Sequence, residues 1–314
     1  MERKGGITHS VVMNAPKRLL PKEAILIVNT RSRRGAEAFD EAVELLGASG
    51  VKLIQPRSVK DPKRIKEEVK DAVGKAPMVI VGGGDGTLSS VIDEFKDRET
   101  VFALLPLGTA NSFARALGIP LELPGAVDVI ANGRPRRIDL GCIDGDYFGN
   151  SAAIGLSPMI ARSVPHRLKK YLGRVGYAVW AAKVGVGFRP FRLTVEDGKT
   201  CATLWASEVR IANGGYFGGV ELVEDAELDS GEIIVQVVTG KSNRNLVSSW
   251  VANMLRLRNR DQWQAEVRAK CLEIATDPPM DVTIDGELAK KTPIKVTVAP
   301  HAVTIAAPKP TPSD

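Results

Sequence analysis

The sequence predicts an α/β protein with two domains that share a cleft, a parallel-sheet domain followed by a β-rich domain, expected to be a sandwich. Three observations support this prediction. From residue 22 to about residue 140, apolar runs of strand length alternate with helical patterns, an order typical of parallel sheets flanked by helices. A glycine-rich turn at residues 82–87 joins one strand directly to a helix. From about Cys142 onward, short alternating strands replace this pattern, as in a β-sandwich.

The first half of the chain reads as repeated strand and helix units. Apolar runs predict strands at residues 25–28, 51–54, 78–81 and 101–105. Apolar residues at helical spacing predict helices near residues 39–46, 62–73, 88–95 and 112–117. The glycine-containing loops at residues 82–87 and 106–111 both follow strands. Because parallel sheets bind ligands at the carboxyl ends of their strands, these two loops are the expected ligand site.

The second half reads as an antiparallel set of strands. Residues 191–196 and 203–212 flank Asp197-Gly198, a dipeptide typical of a hairpin turn. Further strands are predicted at residues 233–238, 267–274, 282–284, 294–298 and 302–305, with one helix near residues 247–255.

Composition limits the classes of protein to which the chain can belong. Its 314 residues are 44% hydrophobic and 25% charged, with a net charge of +6, an ordinary globular composition. No apolar run approaches the roughly 18 residues that cross a bilayer. The flexible, basic residues 1–21 show no apolar segment typical of a secretory signal, so we expect a cytoplasmic protein. Cys142, Cys201 and Cys271 are widely spaced, which favours reduced, buried thiols over disulfides or a zinc site.

The glycine-rich turn carries the most specific chemistry. Its glycines could expose backbone N–H groups to phosphate oxygens at a helix start. A carboxylate repels a polyphosphate unless a divalent cation lies between them, so Asp85 within the turn indicates Mg²⁺ and phosphoryl chemistry. The alternative is a tight turn that needs glycine only to reach positive φ.

Four segments then occur in one order: Asn-Thr-Arg-Ser-Arg-Arg-Gly at residues 29–35, the GGGDGT turn, Pro-Leu-Gly-Thr-Ala-Asn-Ser-Phe-Ala-Arg at 106–115, and Ile-Asp-Gly-Glu at 284–287. Together they resemble the diacylglycerol kinase catalytic-domain superfamily, in particular the soluble bacterial lipid kinases akin to diacylglycerol and sphingosine kinases. The resemblance implies an ATP-binding α/β domain at residues 22–140 and a β-rich lipid-substrate domain at 141–300. It places the active site in the cleft between them, with a return strand and tail at 301–314.

The resemblance also implies which residues contact ATP. They lie in the first three of these segments: Asn29, Ser32, Arg33, Gly82, Gly83, Gly84, Asp85, Gly86, Thr87, Leu88, Thr109 and Asn111. Asn111 could also be the N-cap of the helix that follows it, and both roles can coexist.

The acidic residues of the catalytic centre follow from the same resemblance. Asp85 and Asp139 match positions of the family's Mg²⁺ network, where much of the metal's coordination is water. Asp285 and Glu287 match the segment that supplies the base for the lipid hydroxyl, and Glu287 is the favoured base. For these two residues the alternative is an ordinary hairpin turn on Asp285-Gly286.

The chain departs from the family pattern at two further acidic positions. Ser112 stands where many bacterial members have Asp, which bears on the substrate subtype because sphingosine-kinase-like members also lack that Asp. Ser230 replaces a metal-binding Asp in a segment that resembles a structural Mg²⁺ loop. We therefore expect no second, structural metal site.

Residues 162–186 combine basic and aromatic side chains. An amphipathic stretch of this kind suits an anionic membrane surface, although a helix packed between domains or the wall of an acyl-chain pocket would look similar. We expect peripheral contact with the inner face of the membrane and no nucleic-acid partner. A homodimer is compatible with the sequence.

The expected activity is Mg²⁺-dependent transfer of the γ-phosphate of ATP to a hydroxyl of diacylglycerol or a related lipid alcohol, such as ceramide, a sphingoid base or monoacylglycerol. Two alternatives remain open. A NAD kinase shares the GGDG loop and the two-domain plan, but residues 106–111 and 284–287 fit the lipid kinases better. A nucleotide- or lipid-binding regulator would retain the fold without the chemistry.

Overall fold

The computed structural model describes residues 19–31, 35–163, 180, 183–185, 187–217, 219–221, 223, 226–240 and 264–310. Several predictions lie outside these described residues. They concern Ser32 and Arg33, most of the basic and aromatic stretch, the helix near residues 247–255, and residues 1–18 of the N-terminus.

The first half forms a parallel sheet with intervening helices. Its elements are β1 (Glu23–Asn29), α1 (Gly35–Ala48), β2 (Lys52–Val59), α2 (Ile65–Ala72), β3 (Met78–Gly83), α3 (Asp85–Ser89), β4 (Val101–Pro106), α4 (Ser112–Ala116) and α5 (Leu123–Asn132). The strand order is β2-β1-β3-β4, with every pair parallel. β3 and β4 are buried along their whole length, which requires cover on both faces of the sheet. The predicted α/β class is confirmed.

Helix α1 illustrates how the sequence sets these elements. Ala38, Ala42 and Leu46 recur every four residues, so they form one stripe along the helix. All three are buried, and α1 packs on β1, β2 and α5. Gly50 then adopts a φ of +77° just beyond the helix, a conformation that glycine reaches without steric cost.

The described part of the second half is antiparallel and nearly all β. Its elements are β5 (Arg134–Ile143), β6 (Asp146–Phe148), β7 (Ser151–Gly155), α6 (Leu156–Ser163), β8 (Phe191–Glu196), β9 (Cys201–Ala212), β10 (Tyr216–Phe217), β11 (Val220–Glu221), β12 (Ile233–Thr239), β13 (Gln264–Ala269), β14 (Cys271–Asp277), β15 (Asp281–Ile284), β16 (Glu287–Lys291) and β17 (Ile294–Ala307). Apolar side chains from nine of these strands share one core, among them Ile154, Phe191, Val209, Val235 and Ile274. The sheet therefore encloses this core from two sides, and the predicted sandwich is confirmed.

Two long strands join the halves. β5 and β17 pair along most of their length, and Ile305 near the end of β17 lies beside Phe102 of β4 in parallel. As a result, one 15-stranded sheet runs through both halves of the described chain. The two strands predicted at residues 294–298 and 302–305 are one strand, interrupted by an irregularity at residues 299–303. At this irregularity His301 has a φ of +50°.

Two other expectations were wrong, and one helix was missed. The strand predicted at residues 267–274 is two strands, β13 and β14, which turn at Lys270. Helix α5 was not predicted. Cys201 and Cys271 are exposed, and only Cys142 is buried. In the described part of the chain, no helix has the length and apolar character needed to cross a membrane.

Candidate active site

The site forms where β1 and β3 lie side by side. In the order β2-β1-β3-β4, the chain leaves these two neighbours in opposite directions, which opens a crevice at their carboxyl ends. Asn29, the last residue of β1, is buried there. Its side-chain Nδ2 donates to Thr87 Oγ1 at 2.9 Å, and its Oδ1 accepts from the Arg31 N–H at 3.1 Å. Asn29 thus ties the end of β1 to the glycine-rich turn.

The glycines of the turn allow neighbouring atoms to pack closely against the backbone. Gly82 and Gly83 are the last residues of β3, and Gly84 is the N-cap of α3. None of the glycines from 82 to 86 has a positive φ, so the explanation by positive φ is wrong. A Cβ atom on Gly83 would lie 2.6 Å from Thr87 Cβ, far closer than two carbons can pack.

Thr87 and Leu88 complete the turn from within. The N–H groups of both residues donate to the Gly84 carbonyl. The N–H groups of Asp85 and Gly86 have no acceptor within α3, because they belong to the first turn of the helix. The Leu88 side chain is 1% exposed and belongs to the core of the first half, so it supports the turn from behind.

The second loop packs on the first through glycine. A Cβ on Gly108 would lie 2.6 Å from Gly84 Cα, so the two backbones touch directly. Asn111 fixes this loop, because its Oδ1 accepts from the Gly108 N–H at 2.9 Å and its Nδ2 donates to the Gly108 carbonyl at 3.1 Å. Asn111 is also the N-cap residue of α4, as the alternative predicted, but its side chain makes no capping bond to the helix. Thr109 is exposed at the loop tip.

Asp85 lies between the two loops. Its Oδ1 accepts from the Phe113 N–H, at the start of α4, at 3.1 Å. Burial raises the pKa of the Asp85 carboxyl, and the backbone N–H groups of Phe113, Ser112 and Asn111 oppose that shift only in part. None of the causes of this shift is a basic side chain of the described residues, so a bound cation would stabilise the buried charged form.

The β15–β16 hairpin brings two more carboxyl groups to the glycine-rich turn. Its turn residues Asp285 and Gly286 have φ values of +46° and +91°, as in the tight hairpin turns that Asp-Gly favours. Glu287 Oε1 lies 3.5 Å from the position that a Cβ on Gly86 would occupy. The hairpin-turn alternative is confirmed, and it is compatible with the site prediction, because the turn carries Glu287 to the loop that contains Asp85.

The Asp285 carboxyl is anchored beside the loop. Its Oδ1 accepts from the Ser151 N–H at 2.8 Å. Burial raises the pKa of Asp285, hydrogen bonds from Ser151, Ser89 and Gly149 oppose the shift, and the charge of Asp85 raises the pKa further. Asp85 and Asp285, which are 200 positions apart in the sequence, thus share one local electrostatic environment.

Asp139 lies in a different environment. It is 1% exposed, its Oδ1 accepts from the His301 N–H at 2.7 Å, and its Oδ2 accepts from the Gly231 N–H at 2.6 Å. These bonds join β5, the irregularity in β17 and the loop before β12. They give no support to the predicted Mg²⁺ role of Asp139 and indicate a structural role at the junction of the two halves.

The carboxylates of this site determine whether it could hold a metal ion. Among the described residues, no three His, Cys, Asp or Glu side chains come together as a metal cluster. Asp85 and the nearby Asp285 are anionic oxygen donors with raised pKa values, and Mg²⁺ is held in such sites by one or two carboxylates together with water and phosphate. The donors therefore fit Mg²⁺ that arrives with a nucleotide.

A surface cavity of about 460 Å³ opens beside Asn29, at the carboxyl ends of β1 and β2. It is lined by Thr30, Arg31, Ala36, Phe39, Asp40, Ser58 and Lys60. The lining combines two cations, one carboxylate and one aromatic ring, which suits a polar, partly flat ligand.

Sequence reasoning did not find the backbone partners of the acidic residues. The N–H groups of Ser151 and Phe113 hold Asp285 and Asp85, yet a backbone N–H carries no residue-type signal. Arg31, Phe39 and Lys60 of the cavity were also missed. Of these three, only Arg31 lies close behind a predicted strand, at residues 25–28, which is a weak signal for a site residue.

Comparison with known proteins accords with this geometry. The model of the diacylglycerol kinase catalytic domain matches residues 23–143. The model of the YegS C-terminal NAD kinase beta sandwich-like domain matches residues 150–307. A probable lipid kinase YegS-like from Pseudomonas aeruginosa is 31% identical over 300 residues, 92% of this chain and 96% of the relative. The chain belongs to the diacylglycerol kinase family of lipid kinases.

A second relative agrees with this assignment, and a solved structure agrees with the fold. A diacylglycerol kinase of Bacillus subtilis is 30% identical over 227 residues, 69% of this lipid kinase and 73% of the relative. A crystal structure of a diacylglycerol kinase from Bacillus anthracis superposes with a TM-score of 0.72 at 20% identity, covering 91% of this chain and 97% of that one. Membership of this kinase family implies phosphoryl transfer from a nucleotide.

Proposed function

We propose that this lipid kinase transfers the γ-phosphate of ATP, together with Mg²⁺, to a hydroxyl of diacylglycerol or a related lipid alcohol at a membrane surface. One observation carries the proposal. Asp85, between the two glycine loops, faces the hairpin that carries Glu287, whose Oε1 is 3.5 Å from the Cβ position of Gly86. A phosphate-binding loop and a proton acceptor therefore lie on two sides of one small space.

The nucleotide is assigned to the first half. Its phosphates would lie against Gly84, Asp85 and Gly86, where backbone is accessible without side-chain obstruction. The base and ribose would extend past Asn29 into the cavity with Arg31 and Lys60. When bound, Mg²⁺ neutralises phosphate charge and polarises the γ-phosphate. Asp85, with its oxygen oriented by the Phe113 N–H, would hold that metal.

The acceptor reaction uses the hairpin. As the hydroxyl oxygen of the lipid attacks the γ-phosphorus, the bond to the β-γ bridging oxygen breaks, and the proton of the hydroxyl passes to Glu287 Oε1. Asp285 holds the turn in place through its bonds with Ser151. Product release returns the proton from Glu287 to solvent, which reaches it because the residue is exposed.

The lipid would approach from the edge of the sheet. β16 is the terminal strand in the order that begins β16-β15-β7, and Leu288, next to Glu287, is 55% exposed. An apolar side chain beside the proposed base suits an acceptor whose hydroxyl lies at a bilayer surface. Lys291, three residues further along β16 and largely exposed, would face anionic headgroups.

A lipid-panel assay tests the proposal. Labelled γ-phosphate of ATP should appear on at least one of diacylglycerol, monoacylglycerol, ceramide and a sphingoid base in mixed micelles with Mg²⁺. Asp85→Ala and Glu287→Gln should reduce turnover at least 100-fold, the scale of general acid-base and electrostatic contributions. Asp128→Ala, on the exposed face of α5, is the matched control and should remain active. Product on NAD alone, with none on any lipid, would favour the NAD kinase alternative.

A further inference from the structure

We propose that Ser112 is a positioning residue for phosphoryl transfer, through which the β10–β11 hairpin of the second half sets the orientation of Asp85 in the first half. This inference rests on the proposed function of Asp85. Ser112 is 4% exposed, and its Oγ accepts from the Gly219 N–H at 2.9 Å across 107 residues of sequence. The serine hydroxyl is thus a direct link between the two halves.

Gly219, at the tip of the hairpin, has a backbone conformation and a close contact that favour glycine. It has a φ of +82°, and a Cβ at this position would lie 3.1 Å from the Ala110 carbonyl oxygen. The backbone of the tip therefore rests directly on the residue two positions before Ser112. The rest of the hairpin is also tied down, because the Tyr216 carbonyl accepts from Asn150 Nδ2.

On its other side, the same short segment holds Asp85. Ser112 and Phe113 open α4, and the Phe113 N–H donates to Asp85 Oδ1 at 3.1 Å. Asn111, which has a φ of +49°, contacts Gly108 through its amide. Ala110 to Phe113 thus contacts the hairpin at one end and the Asp85 carboxylate at the other, so a shift of the hairpin tip moves the carboxylate.

The expected consequence is a change in rate and in the response to Mg²⁺, and not in lipid binding. Without the Ser112 hydroxyl, the Gly219 N–H loses its acceptor and the segment loses its hydrogen bond to the hairpin. If that hydrogen bond orients Asp85 in the transition state, Ser112→Ala should lower kcat roughly 3- to 10-fold. KM for the lipid should be unchanged, because the acceptor side of the site is untouched.

The experiment perturbs the hydrogen bond between Ser112 and Gly219 at each of its two residues. Ser112→Ala removes the acceptor, Ser112→Thr keeps a hydroxyl, and Gly219→Ala places a methyl group against Ala110. Gly198→Ala is the matched control: Gly198 also has a positive φ, +80°, but a Cβ there meets nothing within 4 Å. We would measure kcat, KM, and the Mg²⁺ concentration that gives half of the thermal stabilisation produced by ATP.

The inference predicts that Ser112→Ala and Gly219→Ala lower kcat and raise this Mg²⁺ concentration, while Ser112→Thr and Gly198→Ala match the wild type in both. A lower melting temperature in Ser112→Ala with unchanged kcat and unchanged Mg²⁺ response would show a purely structural serine and overturn the inference. If the wild type phosphorylates no lipid, the proposed function fails. The Mg²⁺ titration of ATP stabilisation still decides the role of Ser112 in that case.

Discussion

Substituting Gly108 by alanine tests the contact between the two glycine loops most directly. The new Cβ would lie 2.6 Å from Gly84 Cα and 2.8 Å from Asn111 Oδ1. Carbon atoms pack at about 3.5–4.0 Å, so the loops must separate by roughly 1 Å to admit the methyl group. Neither neighbour can yield as a flexible side-chain end would, since one is backbone and the other is an amide held by the Gly108 N–H.

Two magnitudes follow from this displacement. Overpacking of this kind costs about 1–3 kcal/mol in the free energy of unfolding. A misplacement of about 1 Å near the reacting atoms lowers a rate about 100-fold. Gly108→Ala should therefore remain folded but lose about two orders of magnitude in kcat, while Gly84→Ala, whose nearest neighbour would be 3.1 Å away, should be affected less.

The assay compares urea denaturation and lipid phosphorylation for Gly108→Ala with those for Gly47→Ala. Gly47 lies in α1, and a Cβ there meets nothing within 4 Å. Alanine is preferred over glycine in helices by up to about 1 kcal/mol, so Gly47→Ala should be neutral or stabilising with full activity. A Gly108→Ala variant with wild-type kcat would refute the argument that the loop contact sets the site.

Three further predictions concern charge and the lipid side. The pKa of Asp285 is raised, so the stability of the protein falls as pH rises from the ordinary Asp pKa to the raised one. In Mg²⁺-free buffer at neutral pH, Asp285→Asn should therefore unfold at a higher urea concentration than the wild type. At about pH 3, where the Asp285 carboxyl is protonated, the two proteins should not differ. The hydrogen bonds from Arg136 lower the pKa of Asp229, so this pair stabilises the fold above the ordinary Asp pKa and loses its effect as pH falls through the lowered one. Arg136→Ala should lower the free energy of unfolding by less than about 1 kcal/mol at neutral pH, since the pair is partly exposed. A double-mutant cycle with Asp229→Asn would measure the interaction energy of the pair. Leu288→Ser should lower activity on long-chain diacylglycerol in anionic vesicles at least about threefold, because it removes part of the free energy of burying one leucine in the bilayer. Activity on a water-soluble short-chain acceptor should be unchanged. The control is Ile54→Ser, at a residue 48% exposed on β2 at the other end of the sheet, which should change neither activity.

Periodicity predicted most of the first half because its strands are unmixed apolar runs. Met78 to Val81 reads as a buried strand, and β3 is buried throughout. Helix α5 was missed because Pro124 and Gly125 near its start read as loop residues. Pro124 lies in the first turn of the helix, where its missing N–H has no cost, and Gly125 packs against Pro120, a tertiary reason that local sequence does not carry.

The site was predictable only in part. The resemblance pointed to Asp85, Asp285 and Glu287, and the structure brings these three together. It placed Asp139 in the same network, but the carboxylate of Asp139 bonds with the N–H groups of Gly231 and His301. His301 reaches that position through an irregularity in β17. A register shift within a strand leaves no mark on apolar periodicity, so this partner could not be inferred from sequence.

The glycine-rich turn is best explained by contact between backbones. Its glycines do not use positive φ. A Cβ on Gly83 would lie 2.6 Å from Thr87, and a Cβ on Gly108 would lie 2.6 Å from Gly84. Glu287 arrives at this turn from a hairpin about 200 residues later, so the reaction requires the halves to keep one relative position. β5 and β17 supply the continuous sheet that holds them, and Ser112 with Gly219 supplies a local contact beside Asp85. Asp85, the proposed metal ligand, and Glu287, the proposed base, can then meet the same phosphate although they come from different halves of the chain.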